Sequence, residues 1–159
     1  MRKFTKDMGP GWITLVENDD HALCRLIYGD GADVDCPEEC TPLLKQAFEQ
    51  IQEYWTGHRV IFTIPLAPGG TAFERVVWQT VMQIPYGEHF DEMTLMAALS
   101  LLAENDNMER MHKAVDSCPI PIFIPTHRVG DPNAEHDVFN YPGGEDVKGA
   151  LMALEHPLS

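Results

Sequence analysis

The stretch Ala67-Pro68-Gly69-Gly70-Thr71 constrains this chain more than any other, because a proline followed by two glycines continues neither a helix nor a strand. It separates two parts with different hydrophobic periods. Before it the apolar residues cluster in short runs bounded by turn residues, and after it they recur at helical spacing. A chain of 159 residues has room for one compact domain or two small ones sharing an interface. We expect two, residues 1–70 with the linker and residues 71–159.

In the first part, residues 11–29, "GWITLVENDDHALCRLIYG", predict a hairpin of two short strands around a polar turn. A loop follows, and "LLKQAFEQIQEYWTG" places Leu43, Leu44, Ala47, Phe48, Ile51 and Tyr54 at helical spacing before a stop at Gly57. "HRVIFTIPL", residues 58–66, is expected to form a further strand. In the second part, "TAFERVVWQTVMQI" predicts a helix with Phe73, Val76, Val77, Trp78, Val81 and Met82 along a broad apolar face. Thr71 and Glu74 have the spacing of a capping box at its start. Helices near "DEMTLMAALSLLA" and "NMERMHKAVDS" follow, then a loop at 130–140 and a last helix in "VKGALMALE". Short helices with short connections suit a helix-turn-helix or winged-helix module.

Charge excludes a function class. The formal net charge is −14, with 6 Lys/Arg against 11 Asp/Glu in residues 1–70 and 5 against 14 in residues 71–159. Sequence-independent affinity for nucleic acid or anionic membrane comes from neutralising phosphates with Lys and Arg, and neither half is a basic module. No apolar run approaches the roughly 18–20 residues that span a bilayer, and "MRKFTKDMGPGW" lacks the apolar middle of a signal peptide. A soluble cytoplasmic protein with no membrane contact is therefore expected. Cys24, Cys36, Cys40 and Cys118 then read as reduced thiols. Cys36 and Cys40, with Cys24 and His21 upstream, are of metal-ligand type, but their spacing is a weak zinc signal. No metal or cofactor is expected.

The sharpest local signal is residues 119–129, "PIPIFIPTHRV", an apolar run punctuated by prolines and closed by polar residues. By itself it is a turn that satisfies its own backbone, with a buried and bonded histidine. Together with "TAFERVVWQTVMQIPYGE" and "NYPGGEDVKGALMALE", in this order and spacing, it resembles the signature blocks of the O6-alkylguanine-DNA alkyltransferases, or methylated-DNA-protein-cysteine methyltransferases. The resemblance covers about the last 90 residues strongly and extends into "LLKQAFEQIQEYWTGHRVIFTIPLAPGGTAF" weakly.

The resemblance implies an α/β (α+β) fold: a small ribonuclease-H-like sheet with a helix, then a winged-helix domain whose recognition helix enters the minor groove. It also implies base flipping into a pocket where a cysteine takes the alkyl group irreversibly. That cysteine belongs to a "PCHRV" motif, and here the position is Thr126. His127 and Glu155 match the histidine and acidic residue that activate it, and Arg128 matches the family's structural arginine. Arg128 is grouped with Tyr141, Pro142 and Gly143, which match the loop lining the alkyl pocket. Displacement at a saturated carbon needs a thiolate, and a thiol of pKa ~8.5 next to a histidine supplies one. An alcohol with a pKa comparable to the ~15.7 of water lies ~7 units higher, or ~10 kcal/mol. Hydrolases offset such a gap by stabilising an oxyanion, which a saturated carbon does not form.

The family's DNA-facing positions also differ. The tyrosine that helps rotate the nucleotide would fall near Asp91 and Glu92. Counting back from Pro119, the arginine finger falls on Glu109, with Arg110 one residue late, and Cys118 replaces the asparagine hinge. Residues 91–118 hold six Asp/Glu against Arg110 and Lys113. Phosphate contacts position a protein on the duplex, and like charge repels it. The favoured expectation is a non-catalytic homologue, retained as a binding or interaction protein with a protein partner rather than DNA. The alternative is a lesion-recognising protein that binds O6-alkylguanine by base flipping without removing the alkyl group. A third class, an active enzyme with Thr126 as nucleophile or water-positioning group beside His127 and Glu155, also stands. Cys118, eight residues before Thr126, would need a different pocket to act as nucleophile.

Overall fold

The computed structural model describes residues 1–8, 11–100, 105–130 and 139–155, the side chains of 105 and 106 excepted. The chain forms two compact units, Met1–Gly69 and Gly70–Ser159.

The first unit holds an antiparallel sheet in the order β1 (Arg2–Asp7), β2 (Trp12–Glu17), β3 (Leu23–Tyr28), followed by α1 (Pro42–Trp55). The expected hairpin is β2 and β3, with a bulge between Val16 and Glu17. As the central strand, β2 is buried from Ile13 to Glu17. Leu44, Ala47, Phe48, Ile51 and Tyr54 on α1 are buried, and Phe48 meets Phe4 of β1 edge to face at 6.0 Å. Thr41 caps α1, accepting from Leu44 N. Its hydroxyl in turn donates to the buried carboxylate of Glu17, which also bonds His21 Nδ1 at 2.9 Å. Burial pushes the Glu17 pKa up, but these hydrogen bonds outweigh it and hold the group below its ordinary value. Gly31 has φ +68°, and a Cβ there would stand 2.5 Å from Thr14 Cγ2, so this turn requires glycine.

In this unit one strand is unanticipated and one expectation is corrected. The polar segment "RKFTKD" is β1, paired with β2 along its whole length. Its charged residues lie along a sheet edge, where they discourage pairing with another chain. Residues 58–66, expected as a strand, make only a single bridge between Leu66 and Leu23. The Gln50 side chain takes the Thr63 backbone N–H, Pro65 has no N–H to offer, and Val60 and Ile61 are exposed.

The second unit is helical: α2 (Ala72–Val81), α3 (Glu92–Ala98), α4 (Asn105–Asp116), a 3-10 turn at Thr126–Arg128, and α5 (Glu145–Glu155). The Thr71–Glu74 capping box is formed in both directions. Of the apolar face expected on α2, Val77, Trp78 and Val81 are buried, and the Trp78 indole N–H donates to Ala114 O on α4 at 2.7 Å. Val76 and Met82 are exposed instead, because an apolar run this dense wraps beyond the stripe that the neighbouring helices cover. Among the described residues the unit's only β pairing is two single bridges, Phe90 with Val129 and Pro121 with Ile124. The residues 131–138, most of the expected loop, and Glu104 lie outside the described residues. Among the described residues no helix is long and apolar enough to cross a membrane.

Candidate functional site

The run "PIPIFIPTHRV" cannot form a regular helix, since its prolines lack the N–H that the ladder needs. It folds instead as a buried irregular segment from Ile120 to Gly130 ending in the 3-10 turn. Ile124 N bonds Ile120 O, Thr126 N bonds Ile124 O, and Val129 N bonds Thr126 O. The pairing of Phe90 N with Arg128 O and of Gly130 N with Phe90 O fixes the turn against the segment after α2. Thr126, His127 and Arg128 are all buried.

The turn places His127 and Arg128 on the carboxylate of Glu155, at the end of α5. Glu155 Oε2 accepts from His127 Nε2 at 2.7 Å and Arg128 Nη2 at 2.9 Å. Its Oε1 accepts from Arg128 Nε at 2.8 Å and Gly87 N at 3.2 Å. The two-pronged Arg128 contact is the strong planar form of a carboxylate pair. Arg128 Nη1 also donates to Ile84 O at 2.8 Å, so the guanidinium is held inside the protein rather than offered to a substrate. Because a carboxylate only accepts, Nε2 of His127 carries a proton. Burial holds the His127 pKa below its ordinary value, and although the Glu155 hydrogen bond opposes this, the nearby Arg128 and Lys148 charges add to it. The imidazole is thus a neutral, oriented group.

Thr126 Oγ1 is buried and has no hydrogen-bond partner among the described residues. It is therefore not bonded to His127, and among the described residues no base is hydrogen-bonded to the hydroxyl. Tyr141 is buried and starts a turn closed by Gly144 N donating to Tyr141 O at 2.8 Å. Pro142 is exposed and Gly143 half-buried. Cys118 is 4% exposed, and burial pushes its thiol up to about 12, far from a thiolate at neutral pH. Among the described residues no three His, Cys, Asp or Glu side chains stand close enough to hold a metal ion.

On α3 and α4 most groups at the expected DNA-facing positions are engaged by other residues of the unit. Asp91 caps α3 through Thr94 N at 2.8 Å, and Glu92 pairs with His112 Nε2 at 2.8 Å. Glu109 is exposed, while Arg110 lies over the Phe73 ring of α2 at 4.1 Å.

Sequence reasoning missed three contributors. Gly87 of "PYGE" has φ +84°, and a Cβ there would stand 3.2 Å from Glu155 O. The glycine lets the backbone reach the carboxylate, and its place in a turn was the available signal. Lys148 is buried and donates to Val129 O at 2.7 Å. Tyr86 lies under Arg128 at 5.6 Å and donates to Leu154 O at 3.4 Å. Nothing in the linear pattern distinguishes these last two from surface residues.

Residues 72–157 match the family profile described as the DNA binding domain of 6-O-methylguanine DNA methyltransferase, and residues 7–68 match its ribonuclease-like domain. The constitutive methylated-DNA–protein-cysteine methyltransferase of Bacillus subtilis is 35% identical, over 91% of this chain and 89% of that protein. A methylated-DNA–protein-cysteine methyltransferase of Methanosarcina acetivorans is 29% identical over 96% and 95%. The crystal structure of Mycobacterium tuberculosis OGT in complex with DNA superposes with a TM-score of 0.83 at 26% identity, covering 98% of this chain and 92% of that one.

Proposed function

Since the chain belongs to the 6-O-methylguanine DNA methyltransferase family, with its small antiparallel sheet and helical DNA-binding domain, we propose that it is a non-catalytic member in which Thr126 replaces the alkyl-accepting cysteine. The observation that carries this reading is the register of the turn. Thr126 immediately precedes the histidine held by Glu155, and its buried hydroxyl has no hydrogen-bonded base among the described residues. An alcohol at that point lacks the ~10 kcal/mol that separates it from a thiol as an anion. His127, Glu155 and Arg128 keep the frame of a relay whose nucleophile is gone.

The face formed by α3 and α4 supports loss of ordinary duplex affinity as well. Glu92 is taken up by His112 and Arg110, though exposed, lies over Phe73, and Lys113 is the one other Lys/Arg that the described residues of α3 and α4 carry, which is too few for a basic stripe along phosphate. The function that remains is binding, with a protein partner. Incubating the protein with duplex carrying labelled O6-methylguanine and reading its intact mass tests the chemistry. Unchanged protein mass with unchanged DNA is expected, and a mass gain of one alkyl group overturns the reading.

A second reading draws on the match of residues 72–157 to a DNA binding domain: the chain binds O6-alkylguanine lesions without removing the alkyl group. Titration of duplex containing O6-methylguanine at low salt separates the two, because low salt favours every phosphate contact. Absence of binding there eliminates the lesion reading, and lesion-selective binding establishes it.

A further inference from the structure

A line of contacts crosses the second unit from its surface to the turn that holds Thr126. On α3, Glu92 Oε2 accepts from His112 Nε2 of α4 at 2.8 Å, both side chains about one-quarter exposed. The His112 ring is stacked on Phe139, with centroids 4.3 Å apart and planes 15° from parallel. Phe139 is 2% exposed, and Lys148 Nζ of α5 stands 5.6 Å from its centroid. Lys148 in turn donates to Val129 O, and Val129 N donates to Thr126 O. The residue after Phe139 is tied down separately, Asn140 N donating to Asp116 of α4 at 2.9 Å.

These contacts differ in kind from the Glu155 hub, where every charge is deeply buried. Here a hydrogen-bonded pair about one-quarter exposed, one ring stack and the Asn140–Asp116 hydrogen bond stand along the residues just before Tyr141, and none of the three is a deeply buried ion pair, so they break at lower cost than the hub. We propose that Glu92, His112 and Phe139 form a latch that keeps the Thr126 turn closed to solvent and to any incoming group, and that breaking it opens the turn locally while the rest of the unit stays folded. The proposal rests on the reading that Thr126 lies at the pocket position of the family. It gives His112 a role in deciding what reaches that position, in addition to the loss of the thiol.

A thiol placed at 126 reports access directly. Thr126→Cys protein, alone and combined with His112→Ala or with Glu92→Gln, is treated with iodoacetamide under native conditions. Labelling is then read at each cysteine by peptide mapping, with the buried Cys118 as the internal monitor of global opening. The latch predicts that labelling at 126 rises about tenfold with His112→Ala, equivalent to ~1.4 kcal/mol, while Cys118 does not change. Glu92→Gln, a near-isosteric change at a part-exposed site, raises it by a smaller factor and keeps the test open should the His112 variant fold poorly. Unchanged labelling at 126 in both variants, or equal acceleration at Cys118, overturns the latch. Because the probe is a small reagent and no DNA or alkyl donor is present, the outcome is independent of whether the chain transfers alkyl groups or binds a lesion.

Discussion

The turn at Thr126–Arg128 and the outward side of α3 and α4 belong to one folded unit and handle charge in opposite ways. Around the turn a buried carboxylate is met by an arginine, a histidine and a backbone N–H. On α3 and α4 the carboxylates of Asp91, Glu92, Glu109 and Asp116 stand with few cations, and Arg110 and His112 are spent on neighbours within the unit. Removing one partner of a buried ion pair strands the other at a cost of several kcal/mol, whereas exposed charges change at little cost. The buried hub is therefore maintained by folding itself, whereas the outward carboxylates of α3 and α4 are not, and on the proposed non-catalytic reading that surface is free to drift.

That contrast can be broken most forcefully at Glu155. Glu155→Gln leaves Arg128 buried without its counter-charge, and urea unfolding is expected to show a loss of about 3–5 kcal/mol. A loss below ~1 kcal/mol would place the hub with ordinary surface pairs.

Acid should weaken the same hub. His127 titrates below its ordinary value in the folded state, so above about pH 6.5 both states bind no proton there and the full stability is present. As pH falls below that value the unfolded chain takes up a proton that the folded one resists, and stability declines. Glu17, also held below its ordinary value, adds a second loss only as pH falls below about 4.3. Thermal unfolding at a series of pH values checks this: a midpoint that holds from neutrality down to about pH 4.5 would contradict the account of His127.

Smaller effects sharpen the other side. Thr71→Ala removes the α2 cap, and its expected cost of about 1 kcal/mol by urea titration calibrates an exposed feature with complete hydrogen bonding. Glu92→Gln is expected to cost less than ~1 kcal/mol in global stability by the same measurement, since its pair with His112 is part-exposed.

Much of this could be read from the residues. The hairpin, α1, the capping box and α5 followed from apolar spacing and turn residues, and the three blocks resembling the alkyltransferases led to the family. The same spacing failed where side chains captured backbone groups, as Gln50 does at Thr63, and where a strand was too charged to look like one, as in "RKFTKD". At the site, "PTHR" and the distant Glu155 could be paired through the resemblance. The stack of His112 on Phe139 and the burial of Lys148 depend on three-dimensional neighbours separated by many residues, and no period or motif encodes them.

The Thr126→Cys protein tests the contrast between interior and surface most directly, by comparing two alkyl donors. On the proposed reading, the thiol introduced beside the Glu155-held His127 is expected to accept an alkyl group slowly from free O6-benzylguanine and not from duplex containing O6-methylguanine, as read by intact mass. Rapid transfer from the duplex would contradict the account, because it would show that the face carried by α3 and α4 still engages DNA.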